Sequence, residues 1–289
     1  SDSGVVFENG RTIKGKEVTP FREIPCNKDI FLFYYLAKKL DIIGDDESRE
    51  NLVSGFILKW VRDGIITIRE KESGVIVKKK NYDMYLDVDA KFENKQETAL
   101  YKMFILASKE GVLQTKAFQK WCSKHYKKID DWFTKVDNVT EDSMNKIGYA
   151  KTATIYKRFL FWNIPHDRTV WTDKAYDQCL YVWGFNNFLD DEDNMKEKAA
   201  IEVKLWDEYL IFAAVLGIAD RVEKQLKVAI PHYEETTTYN NFPIYYYTHT
   251  FAHNSMSAAS SAASAGQGGS SSFSGGGGGF SGGGGGGVR

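Results

Sequence analysis

Cys122 and His125 are the residues whose types and spacing best suit nucleophilic catalysis, because a thiol needs a nearby base to become a thiolate and the two stand three positions apart. The same spacing sets Cys122 beside Phe118 and Trp121 on an apolar helical face, where cysteine serves as a small core residue. His249 and His253, four positions apart, would present two imidazoles on one helical face to a metal. No glutamate follows His249 as in the metalloprotease motif, and the surrounding segment has little helix character, so the spacing reads as chance. Asp190, Asp191, Glu192 and Asp193 offer oxygens to a hard cation but lack the alternation and distal glutamate of a calcium loop. They read instead as a solvated break between helices. The terminal glycines have neither the preceding strand nor the following helix of a phosphate cradle. These residues compose no catalytic signature, and the chain reads as non-catalytic, with no cofactor and no metal site.

Basic residues form the candidate interaction surface. Lys116, Lys120, Lys124, Lys127 and Lys128 line one side of an amphipathic helix; a solvated face is their plainest reading, and an anchor that held the domain near a membrane would let them meet anionic lipid headgroups at roughly 1 kcal/mol each. Lys59 and Arg62 lie on another helix, with Arg69, Lys71, Lys78, Lys79 and Lys80 around the extended segment after it. That second group would suit nucleic acid, but Glu50, Asp63, Glu70 and Glu72 interleave with it. Lys plus Arg (38) also nearly cancels Asp plus Glu (39), so no overall positive field favours a phosphate backbone. A protein partner, with an anionic membrane surface beside it, is the leading reading, and nucleic acid is the alternative.

The positioning elements follow from periodicity. Leu52, Phe56, Ile57, Trp60 and Val61 recur at helical spacing, and Asp63-Gly64 then supplies a C-terminal cap. From Ile65 the period drops to 2, with a ribbon expected between 65–69 and 75–77 across Glu72-Ser73-Gly74. A preceding helix carries Ile30, Phe33, Tyr34, Ala37 and Leu40, with Asn27 as its cap. Val5, Val6 and Phe7 suggest a short hairpin with Thr12 and Ile13 across Asn9-Gly10. Helix, turn, helix, ribbon is the order of a winged helix. Further helices are predicted over 96–108, 115–136 and 172–189, and one long helix over 195–226 buried through Ile201, Leu205, Tyr209, Phe212, Ala213, Leu216 and Val222. Between 145 and 168 the pattern is mixed, with Pro165 marking a bend or boundary.

The predicted fold class is α+β and mostly helical: a winged-helix-like domain over 1–93, an α-helical domain over 94–230, an aromatic strap over 231–253 and a disordered Ser/Ala/Gly tail over 254–289. The 289 residues, 43% of them hydrophobic, can build about two cores of ordinary size. The longest apolar run, Tyr209 to Ala219, falls short of the ~20 residues a membrane helix needs. Three cysteines, Cys26, Cys122 and Cys179, lie far apart and suit a reducing compartment. The start, Ser-Asp-Ser-Gly, fits a piece cut from something longer.

Five stretches carry a family resemblance: REIPCNKDIFLFYYLAKKL, NLVSGFILKWVRDGIITI, GFNNFLDDEDNM, EYLIFAAVLGIADRVEKQL and the Ser-to-Gly tail. In that order they resemble the C-terminal region of the DUF2207, or YciQ-like, predicted membrane proteins over most of residues 20–289. The resemblance implies a place on the cytoplasmic side of a cell membrane, with the anchor in sequence not present here. It implies no chemistry, since the family has no established activity.

Overall fold

The computed structural model describes residues 5–71, 81–193, 195–239 and 243–268. Its first helix, α1 (Ile30–Lys39), is buried at every position from Ile30 to Ala37 and runs through the interior. Asp29 caps it in place of the expected Asn27: its carboxylate accepts from the amides of Phe31 at 3.0 Å and Leu32 at 3.1 Å. Asn27 stands upstream in a left-handed turn at φ 50°. An N-cap aspartate satisfies amides the helix leaves orphaned and suits the positive end of its dipole.

Helix α2 (Asp45–Arg62) begins with three acids and ends where Asp63-Gly64 predicts. Gly64 takes φ 73°, and the Ile65 amide returns to the Trp60 carbonyl at 2.8 Å. The chain then turns extended. β1 (Ile66–Lys71) pairs antiparallel with β2 (Asn81–Leu86), Ile66 opposite Leu86 and Lys71 opposite Asn81. The partner strand is therefore 81–86, and the expected partner at 75–77 and its turn at 72–74 lie outside the described residues.

Helix α3 (Lys95–Ala107) is capped by Asn94, and β3 (Val112–Gln114) then joins β2, with Asp83 opposite Gln114. The sheet order β1-β2-β3 thus crosses the boundary expected between 93 and 94. α4 (Thr115–Lys124) and α5 (Tyr126–Lys146), a single helix by periodicity, part at His125, whose φ −115° and ψ 33° leave the helical region. Where a mixed pattern was expected, β4 (Ala150–Phe159) and β5 (Trp162–Trp171) make a separate antiparallel hairpin. Pro165 makes no bend; it lies in β5 opposite Tyr156, and a two-stranded ribbon is all edge, where strands tolerate proline.

The N-terminal segment turns at Asn9-Gly10, with the Gly10 amide on the Phe7 carbonyl at 3.0 Å, but its extended residues pair with the end of β5 and not with Thr12 and Ile13. Phe7 bridges Trp171, and the Glu8 amide bonds the Trp171 carbonyl while the Trp171 amide bonds the Val6 carbonyl, both at 2.8 Å. The chain then crosses α6 (Asp173–Asp190), where the Asn187 side chain donates to the carbonyls of Gly15 at 2.8 Å and Val18 at 3.0 Å. The long helix expected over 195–226 is three: α7 (Met195–Ala199), α8 (Val203–Val215) and α9 (Ala219–Ala229). Gly217, at φ 77°, ends α8 against Asn51, whose Nδ2 would lie 3.0 Å from an added Cβ.

After α10 (Tyr233–Thr236) comes the largest departure from the sequence reading, α11 (Ile244–Gly268). Its buried Thr248, Phe251, Ala252, Ser255, Met256 and Ala259 recur at helical spacing, so residues 254–268, expected as disordered tail, are a packed helix. Small side chains let it approach closely. α11 lies against α4 and α2, with Phe251 stacked on Phe118 at 5.1 Å. Residues 269–289 lie outside the described residues. Buried apolar residues from Phe7 to Ala259 form one continuous core, with α2 packed against both α8 and α11. The fold is α+β and mostly helical.

Candidate functional site

The β4–β5 hairpin is fixed at its root and free beyond it. Buried Trp171 meets Phe7 edge-on at 6.1 Å and lies near-parallel to Tyr35 at 6.4 Å. Lys151 pairs with Glu8, and that hydrogen bond holds the Glu8 carboxyl below its usual range. The Thr172 hydroxyl closes the root on the Gly148 carbonyl at 2.6 Å. From Tyr156 to Thr169 every residue is exposed.

Large apolar side chains concentrate on that free part. Phe161 is 92% and Trp162 73% exposed, and Tyr156, Phe159, Leu160 and Ile164 join them. Monomeric surfaces rarely gather apolar groups in one patch without a partner. Leu160 takes φ 54° in the two-residue turn, a conformation that costs an L residue about 1–2 kcal/mol and normally goes to Gly, Asn or Asp. Folding alone would not select Leu-Phe there. Between Ile155 and His166 the sequence holds Lys157 and Arg158 and no acid. The nearest, Asp167, accepts from the Thr154 hydroxyl at 2.8 Å. Sequence reasoning missed this site, although Phe159-Leu160-Phe161-Trp162 beside Lys157-Arg158 was its visible signal.

The basic residues singled out by sequence do not converge. Lys59 bonds the buried Glu97 carboxylate at 2.7 Å, beside the Trp60 indole at 3.0 Å on the same oxygen. Arg62 is held by Asp63 at 3.0 Å and lies 4.0 Å from Glu208. Every residue of α2 from Ser48 to Arg62 is buried or half-buried, so the helix is packed on most of its circumference. Lys78, Lys79 and Lys80 lie outside the described residues. Lys116, Lys120 and Lys124 project from α4 and Lys127 and Lys128 from the start of α5, all exposed. None of these five forms an ion pair among the described residues.

Groups with reactive potential are committed to packing. Burial pushes the Cys122 thiol up to about 12, and the Cys26 and Cys179 thiols are raised by the same cause. His125 packs against Trp121, ring centroids 4.6 Å apart and tilted. His253 Nδ1 meets the buried Glu50 carboxylate at 2.5 Å, and His249 Nε2 lies 4.0 Å from its other oxygen, so the pair latches α11 onto α2. The acidic break is anchored by Asp190 to Arg221 at 3.0 Å. Ser54, Asp220 and His249 are among the residues lining a cleft of about 290 Å³, but the Ser54 hydroxyl donates to Thr248 at 3.2 Å.

Fold and surface together define a mostly helical fold that buries its three thiols and projects an apolar, basic hairpin. Among the described residues, no helix is long and apolar enough to cross a membrane. Residues 159–226 match the model of the C-terminal domain of the DUF2207 predicted membrane proteins. The match opens at the hairpin tip and runs through α6, α7 and α8 to Leu226 of α9. No curated protein and no solved structure matches the chain.

Proposed function

We propose that this chain is a non-catalytic interaction module of a membrane-anchored protein, placed on the cytoplasmic side and engaging a protein partner. One observation carries this reading: the five lysines of α4 and α5 stand outward with no ion pair among the described residues, while the three thiols are buried and α2 exposes no residue from Ser48 to Arg62. The helix, ribbon and third strand supply a winged-helix-like scaffold for that surface, used as a contact platform and not as a groove reader. Basic surface next to a membrane also gains from anionic headgroups.

The test places a photocrosslinking amino acid at Lys120 in the full-length protein in its native membrane. A discrete crosslinked protein, lost when Lys116, Lys120 and Lys124 neighbours are reversed to Glu with the probe moved to Lys127, is the expected result. A DNA or RNA affinity at low salt that the reversals Lys116→Glu, Lys120→Glu and Lys124→Glu abolish would overturn it in favour of nucleic acid.

A further inference from the structure

We infer that the tip of the β4–β5 hairpin inserts into the interface of an anionic lipid bilayer. This deepens the reading of the chain as a membrane-side module and rests on it. The register sets the argument. Phe159 faces Trp162 and Lys157 faces Ile164, so these four share one face of the ribbon; Tyr156 faces Pro165 and Arg158 faces Asn163 on the other. Rings and aliphatic groups therefore occupy both faces and the turn. A protein groove recognises a ribbon from one side or along one edge, whereas a bilayer receives it from all sides.

The depth profile fits the same occupant. Leu160 and Phe161 lie at the very tip, the Phe159 and Trp162 rings one pair back, and Lys157 and Arg158 within the two pairs behind that. A strand rises ~3.4 Å per residue, so Arg158 and Lys157 trail Leu160 by roughly 7–10 Å. That is about the separation between acyl chains and headgroup phosphates when an apolar element lies at the interface. Tryptophan and tyrosine prefer that level, and the absence of any acid from Ile155 to His166 leaves the anionic headgroups unopposed. The strained Leu160 turn is a second, independent sign, because apolar bulk is held where backbone preference asks for Gly or Asn.

Sedimentation with large unilamellar vesicles tests this, using phosphatidylcholine alone and phosphatidylcholine with 30% phosphatidylglycerol. Trp162 is the one exposed tryptophan among the described residues, so brominated lipid should quench a distinct part of the emission. The intact chain should bind the anionic vesicles more tightly than the neutral ones. The double variant Leu160→Asn/Phe161→Gly installs a favoured hairpin turn and should keep the fold by circular dichroism, yet bind about fiftyfold more weakly. Lys157→Glu with Arg158→Glu should lose about thirtyfold on anionic vesicles and little on neutral ones. Overturning results are no vesicle binding by the intact chain, binding by the turn variant equal to the intact chain, or tip-dependent self-association without lipid. A turn variant that loses vesicles but still crosslinks its protein partner through α4 supports the hairpin assignment. Loss of partner crosslinking with vesicle binding intact would instead sink only the interaction reading.

Discussion

Asp207 is buried in α8, and donors from one short segment thirty residues on account for its carboxylate. The Thr237 hydroxyl bonds it at 2.6 Å, the Thr238 hydroxyl at 2.8 Å and the Thr238 amide at 3.1 Å. Tyr239 in turn donates its hydroxyl to the Asp207 carbonyl. Hydrogen bonds to a charged acceptor are worth more than neutral ones, so Asp207→Ala should cost about 2–3 kcal/mol in urea unfolding, with Asp207→Asn recovering part of it. A loss under ~0.5 kcal/mol would mean the segment is held by its rings alone. Sequence marked this stretch as a strap because so many rings seldom stay exposed, but could not single out Asp207. A lone acid in an apolar helix does not announce its partner. The cap of α1 failed for a related reason: Asn27 and Asp29 both have capping chemistry, and the left-handed turn through Cys26, Asn27 and Lys28 decides between them.

At the scale of elements, legibility tracked how asymmetric each element's burial is. α2 was visible because its large apolar residues repeat and Gly64 punctuates them. α11 was invisible because its buried positions after Phe251 are mostly Ala and Ser, whose small size reads as low complexity although it lets helices approach. The β4–β5 hairpin escaped for the opposite reason: exposed on both faces, it has no period of 2 to detect. Close approach is also what α2 requires of α8. A Cβ added at Gly55 would meet Val215 Cγ2 at 2.7 Å and the Ile211 carbonyl oxygen at 3.4 Å. Alanine is the better helix former by ~1 kcal/mol, yet overpacking costs about 1–3 kcal/mol where neighbours cannot retreat. Val215 is fully buried, so Gly55→Ala should lower the melting temperature. Restoration by Gly55→Ala/Val215→Ala relative to Val215→Ala alone would locate the cause in this contact. A raised melting temperature for the single variant would show that α8 shifts freely.

For the whole molecule, one core runs across the boundary that local pattern placed at 93, because its helices find partners far along the chain: α2 with α8 and α11, α4 with α11. No local period encodes such pairings. That shared core is rich in tyrosine, which sets the response to alkali. Tyr34, Tyr101, Tyr233, Tyr239 and Tyr245 are all buried, and burial is the leading cause raising each phenol above its ordinary range. Unfolded, each would ionise near pH ~10. Above that pH the unfolded chain holds fewer protons than the folded one, so stability falls by up to ~1.4 kcal/mol per pH unit for each such group. Five groups at pH ~11 amount to roughly 7 kcal/mol, comparable with the 5–15 kcal/mol that holds a typical domain. Buried Lys198 acts with the opposite sign: burial lowers its pKa, so its share of stability grows as pH rises toward the unfolded value. One group cannot offset five. The chain should therefore unfold cooperatively between about pH 10.5 and 12, with tyrosinate absorbance and loss of helical circular dichroism appearing in one step. Tyr245→Phe, which removes one such phenol, should shift the midpoint upward. Full ionisation of the tyrosines with helical signal intact would show instead that water and hydroxide reach the core without unfolding it.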